Sequence, residues 1–401
     1  MSEKGQAALA AAKQRQDDIV NFLRGMIAIR AESCHEQQRC EFVKAEYEKL
    51  GFDEVFFDSL GTVVARIGSG PLKILVDGHI DTVGVGDPAS WDFDPFEGKL
   101  EDGEIWGRGA VDQLPGIVSA AYGARLLMDR GFPEGITLYL SASVMEEDCD
   151  GYSMLHLIEK EGIRPNLVVL TEPTNLAVFR GHRGRMEVSI TTHGKSAHGA
   201  HAERGVNALY KMAPIMLDIE ELNKHLADDA FLGKGSVIVS TISVDTPSAN
   251  AVPDRATITL DRRMTAGETV DSALAELRAL PHLGDADVKL LEYRATSWRG
   301  TEAYQEKYFP TWVLDEEHPL VQGTAAAAEE VFGHRPEISR WHFSTNGVAT
   351  MGRLGIPSVG FAPGREELAH STDEHVPVDD LVTGAAVFSL IPEAILEAHK
   401  S

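Results

Sequence analysis

Four short apolar runs in this chain each stop in a carboxylate or an imidazole. They are Leu72 to Asp81, Ile136 to Asp148, Pro165 to Pro173 and Ile356 to Pro363, the last feeding a loop that carries His370. Runs this short and this apolar predict strands buried on both faces, the mark of a parallel sheet. Helix-like stretches at 6–50, 114–130 and 151–162 supply crossovers, so the expected class is α/β. In open sheets of that class, sites form outside the C-terminal strand ends. His79, Asp81, Glu146, Glu147, Glu172 and His370 are therefore expected around one crevice. Asp112 joins them from Gly107-Arg-Gly-Ala-Val-Asp112, whose glycines permit a tight backbone path. So many carboxylates in one place repel each other unless divalent cations offset the charge. Two imidazoles with several carboxylates suit zinc, cobalt or manganese better than calcium. Each motif alone is weak, since strand-end acids are commonly turn residues. Their joint occurrence in one layer carries the reading.

The middle of the chain follows another rule. Residues 185–192 alternate, with Met186, Val188 and Ile190 on one face. A helix fits 205–227, strands fit 236–244 and 255–264, a helix fits 268–279 and a strand fits 287–293. The order βαββαβ is ferredoxin-like, and alternation marks a sheet with one covered face. The expected organisation is an inserted domain at 182–293 within a catalytic domain built from 1–181 and 294–401.

Charge narrows the partners. The 62 acidic residues against 37 Lys and Arg leave −25, which argues against nucleic acid and anionic membrane surfaces. Three cysteines cannot build a disulfide scaffold, and the spacing of Cys34 and Cys40 is not a zinc finger. The first residues lack an apolar signal core, and no run approaches ~20 uninterrupted apolar residues. A cytoplasmic setting is expected. Gly194-Lys-Ser196 looks like the tail of a phosphate loop, but Ser189 stands where its first glycine belongs. No Gly-x-Ser-x-Gly elbow occurs.

The motifs Gly78-His-Ile-Asp81, Gly107-Arg-Gly-Ala-Val-Asp112, Met145-Glu-Glu147, Leu170-Thr-Glu-Pro173 and Ala369-His-Ser-Thr-Asp-Glu374 resemble those of the M20 family of metallopeptidases and amidohydrolases. That family includes acetylornithine deacetylase and succinyl-diaminopimelate desuccinylase. Within it, Asp112-Gln113 and Trp341-His-Phe-Ser-Thr-Asn-Gly347 are most similar to the branch of YgeY-type hydrolases. The resemblance implies a zinc-peptidase-like α/β domain with a ferredoxin-like lid that also forms a homodimer. It implies that His79 and Glu172 hold one metal, Glu147 and His370 hold a second, and Asp112 bridges both. Asp81 would orient His79, and Glu146 would be the general base that activates a water against an amide of an N-acyl amino acid or small peptide. His198 would close the site, in one subunit or from the partner. Asn250, Arg263 and Asn346 would meet the substrate, although an ion pair with Asp261 competes for Arg263. Asn346 departs from the family's Gly-Gly-Thr-Asp, an amide replacing an acid. The same machinery would serve a dipeptidase or carboxypeptidase, and a non-catalytic small-molecule-binding homologue is the third reading.

Overall fold

The computed structural model describes residues 1–399. Its centre is a mixed nine-stranded sheet. Ile136–Ser143, Leu72–His79, Leu167–Leu170 and Ser358–Gly360 lie side by side in that order, all parallel. These are the four apolar runs, and they are buried because helices cover both faces. Antiparallel strands close both edges, which the apolar pattern did not foretell. Val63–Gly68 and Glu54–Phe57 flank one side, and Val178–His182 with Trp312–Val313 the other. The expected helix at 6–50 is three helices, Glu3–Gln14, Gln16–Ile27 and Gln37–Lys49. The chain leaves helical geometry between the last two, with Cys34 at φ 69°.

The helix Leu114–Arg130 shows how small residues set the packing. A Cβ on Gly116 would sit 2.2 Å from the Thr171 carbonyl oxygen, and one on Gly123 would sit 2.4 Å from Phe388 Cβ. Glycine at these two positions lets the helix lie flush on the 167–170 strand end and on the helix Val378–Phe388. Among the described residues, the helical run Val378–Ala398 has the length and hydropathy of a membrane span, yet 67% of that window is buried inside the fold.

The insertion has its own sheet and core. Ser236–Asp245, Arg255–Met264, Gly184–His193 and Asp287–Leu290 pair antiparallel in that order, and Tyr308–Phe309 adds to Gly184–His193. This is the ferredoxin-like arrangement. Met186, Val188 and Ile190 pack beneath Met212, Ile215 and Leu277 of the helices Ala208–His225 and Val270–Arg278. Alternation thus has its physical cause, since helices cover only one face. The strand Ser236–Asp245 lies at the sheet edge and leaves Ile238 and Ile242 half exposed, at 55% and 50%.

Candidate metal centre

His79 ends the strand Leu72–His79 and is buried. Its Nδ1 donates to the Asp81 main-chain oxygen at 2.8 Å, which leaves Nε2 free to act as a ligand. That Nε2 lies 3.0 Å from Asp112 Oδ1 and 3.7 Å from Glu172 Oε1. On the other side of Asp112, His370 Nε2 lies 3.1 Å from Oδ2 and 3.2 Å from Glu147 Oε2. Two triads result, His79–Asp112–Glu172 and Asp112–Glu147–His370, each with ligand atoms within 4.8 Å of one another. Asp112 belongs to both.

The loop that delivers Asp112 is anchored by a residue whose role the sequence did not reveal. Buried Glu374 accepts from the main-chain N–H of Val111 at 2.8 Å, of Asp112 at 3.0 Å and of Gly109 at 3.1 Å. Arg108 donates to the same carboxylate at 2.6 Å. Gln113 then accepts from Thr171 Oγ1 at 2.8 Å, tying this loop to the strand end before Glu172.

Glu146 and Glu147 diverge for a reason other than strand alternation. The strand stops at Ser143, and Met145 adopts the left-handed region at φ 63°. It is this turn that sends the two side chains different ways. Asp81 serves it directly. Its carboxylate accepts from Glu146 N at 3.2 Å, Glu147 N at 3.1 Å and Ser33 Oγ at 2.6 Å. The expectation that the Asp81 carboxylate orients His79 is therefore corrected. The nearest Asp81 carboxylate oxygen to His79 Nδ1 is at 3.7 Å, and the carbonyl makes the hydrogen bond.

Burial drives the carboxyls of Glu146 and Glu172 well above their ordinary range, and raises that of Glu147. Burial alone would also raise Asp112, but hydrogen bonds from His370 and His79 hold it well below. Hydrogen bonds to Asp112 and Glu147 raise His370 to about 10. Burial would lower His79, yet Glu146 and Glu172 push it far up. Four buried or nearly buried carboxylates thus face two imidazoles. Glu146 Oε1 and Glu172 Oε2 are among the buried side-chain atoms without a hydrogen-bond partner. This donor set fits divalent cations, which would pair with the orphaned oxygens and offset the excess negative charge.

A cleft of about 360 Å³ opens over these groups, lined also by Asp150, Arg185, Arg263, Phe343 and Ser344. Arg263 is bound by Asp261 at 2.7 and 3.0 Å, the expected ion pair, and it also lines the cleft. Its neighbour Arg262 is buried between Glu268 and Glu276. Arg185 stands opposite Arg263 in the sheet and bonds Asp150 at 3.0 Å. Its register opposite Arg263 places it beside that residue at the cleft. Asn346 does not line the cleft. Its amide donates to Asp77 Oδ2 at 2.8 Å and Ser143 Oγ at 3.0 Å, and accepts from Gly151 N at 2.7 Å. With its polar atoms engaged inside the fold, a substrate-binding role for Asn346 is withdrawn. His198 and Asn250 are likewise absent from the described residues that line the cleft. They lie together on the insertion, where Gly199 N donates to the Asn250 carbonyl at 2.7 Å and His198 pairs with Ala251. A second, larger cavity of about 630 Å³ takes Arg340, His342 and Arg365 but none of the triad residues.

Residues 75–394 match the family model described as peptidase family M20/M25/M40. The uncharacterized protein YgeY of Escherichia coli K12 is 46% identical over 386 residues, covering 96% of both chains. A probable succinyl-diaminopimelate desuccinylase of Staphylococcus epidermidis is 24% identical, covering 95% of this chain and 98% of that one. The fold matches that of aminopeptidase PepT from Bacillus cereus, at TM-score 0.72 and 21% identity over 95% and 99% of the two chains. It also matches the YXEP protein of Bacillus subtilis, described as a dinuclear metal binding peptidase, at TM-score 0.71 and 13% identity over 97% and 100%. Two ligand triads sharing one aspartate at the strand ends of an α/β sheet, together with these matches, make the chain a member of peptidase family M20/M25/M40.

Proposed function

We propose that this protein is a two-metal hydrolase that cleaves the amide bond of an N-acyl amino acid or a small peptide-like substrate. One observation carries the reading. Glu146 lies in the cleft, belongs to neither triad, and has a buried oxygen with no partner. A carboxylate in that position is a base without another task.

His79 and Glu172 would hold one ion, Glu147 and His370 the other, and Asp112 both. The donor set of two imidazoles and carboxylates favours zinc, with cobalt or manganese as substitutes. Divalent ions, when bound, acidify a water and polarise the amide carbonyl. The remaining work falls to the chain's own side chains. Glu146 takes a proton from the water as its oxygen attacks the carbonyl carbon. It then delivers that proton to the departing nitrogen as the C–N bond breaks. Arg263, steadied by Asp261, meets a substrate carboxylate with its planar fork.

His198 and Asn250 reach the cleft from the partner subunit of a homodimer in this reading. Neither residue lines this chain's own cleft, which supports it. So does the edge strand carrying exposed Ile238, Ile242 and Val244, which is paired on one side only and offers a surface that a second copy can cover. Small amides are the partners, and neither nucleic acid nor membrane is one. Three free cysteines accord with a reducing cytoplasm.

A panel of N-acetyl amino acids, N-succinyl amino acids and dipeptides tests the proposal, with chelated enzyme and with zinc, cobalt or manganese restored. Activity should vanish on chelation and return with metal. Glu146→Gln should lower kcat by about 10²–10⁴ with metals still bound. Full activity in the chelated Glu146→Gln enzyme would overturn it.

A further inference from the structure

The turn at residues 145–147 must be fixed if Glu146 is to act, and one of its supports comes from far away in the chain. Glu36 is wholly buried and begins the helix Gln37–Lys49 as its cap residue. Its Oε1 accepts from Met145 N at 3.0 Å and from Cys34 N at 2.9 Å. The next two main-chain N–H groups, of Glu146 and Glu147, go to Asp81. Three consecutive N–H groups of a left-handed turn are thus divided between two buried carboxylates. Ser33 joins them by donating to Asp81 at 2.6 Å. Behind them, buried Arg39 donates to the main-chain oxygens of Ile29 and Ile80, which pins both the 29–36 segment and the strand end that carries Asp81.

Ordinary folding economy does not require this. A surface turn leaves such N–H groups to water. Here Met145 and Glu146 are buried, so each N–H needs a protein acceptor, and Glu36 supplies one that no residue of the catalytic motifs can. The other Glu36 oxygen, Oε2, is buried with no partner, an unfavourable arrangement that an apolar residue would avoid.

We infer that Glu36 is a positioning residue: through Met145 N–H it holds the turn that aims Glu146 into the cleft. The inference rests on the reading of Glu146 as the base. A misplacement of that carboxylate by about 1 Å costs roughly 100-fold in rate, so a support of this kind has a functional reason to persist.

The test compares zinc-loaded wild type with Glu36→Gln, which keeps the accepting oxygen, and Glu36→Met, which removes it at similar volume. Glu36→Asp, with its carboxylate withdrawn by one methylene, serves if the Met variant does not fold. Hydrogen exchange across 144–148 should quicken by about tenfold or more in the Met or Asp variant and stay near wild type in Gln. On whichever panel amide the wild type cleaves fastest, kcat should fall about 10–100-fold at unchanged KM and metal content, again rescued by Gln. Exchange unchanged at 144–148, or quickened equally throughout the protein, overturns the inference. So does a rate loss that tracks lost metal. Glu146→Gln is measured alongside. If it is inactive while Glu36→Met behaves as wild type, the positioning role fails and the base stands. If Glu146→Gln is fully active, the base reading fails and takes the role with it.

Discussion

Asn346 donates a hydrogen bond of 2.8 Å to Asp77, a buried carboxylate two residues upstream of the candidate metal ligand His79. Asp77 also accepts from Ser141 at 2.6 Å, and burial raises its pKa. An amide at 346 is what this neighbour demands. A second carboxylate there would face the first across a hydrogen-bond distance with no cation between them.

Asn346→Asp should therefore destabilise the fold by about 2–4 kcal/mol near pH 8. One of the two acids would titrate high in the folded state. Its penalty is small below the ordinary carboxylate pKa and grows as pH rises past it. Denaturant unfolding at pH 5 and pH 8 checks this, and a larger loss at pH 5 would count against it.

Asp112 spans both triads, so its loss should differ in kind from the loss of any other ligand. Asp112→Ala should retain neither ion after dialysis, whereas Glu172→Ala and His370→Ala should each retain one. Metal analysis of the folded variants reads this directly. All three should lose more than about 100-fold in kcat, because charge stabilisation by a metal is worth several kcal/mol.

If His198 acts across a dimer, two dead enzymes should rescue each other. His198→Ala and Glu146→Gln homodimers are each expected to be inactive. Refolded together at equal amounts they should recover about a quarter of wild-type activity, since half the dimers are mixed and each mixed dimer has one intact site. No recovery in verified mixed dimers would assign His198 to its own subunit.

His182 gives the protein a specific acid sensitivity. Its Nδ1 donates to the Arg183 carbonyl at 2.8 Å, and its Nε2 accepts from Trp312 Nε1 at 2.7 Å. Burial lowers its pKa from 6.5 to about 4. The unfolded chain therefore binds a proton that the folded one refuses between those values. The stability from neutral His182 is full above about pH 6.5 and drains as pH falls towards 4, by at most about 3 kcal/mol. The slope of unfolding free energy over that window should shrink by about one proton in His182→Gln. An unchanged slope would show that His182 does not carry it.

Strand ends and apolar faces were legible because they are local patterns. The runs ending at His79, Ser143 and Leu170 announce themselves within ten residues, and so does the alternation of Met186, Val188 and Ile190. What escaped the sequence is pairing at long range. Asn346 and Asp77 are 269 positions apart, and Glu36 and Met145 are 109 apart. No periodicity links such pairs, so nothing local ties Asn346 to Asp77 or Glu36 to the turn at Met145. The Asp81 carbonyl escaped for another reason, since every residue has one and composition cannot say which is used.

The strand Ser358–Gly360 sits between Leu167–Leu170 and Val178–His182, although almost two hundred residues of chain separate it from the first. A ribosome making this protein delivers the insertion before that slot can be filled. His79, Asp112 and Glu172 have all emerged by then, while His370 has not. Until residue 370 is made, the chain carries His79, Asp112 and Glu172 of one triad but lacks the imidazole that completes the other.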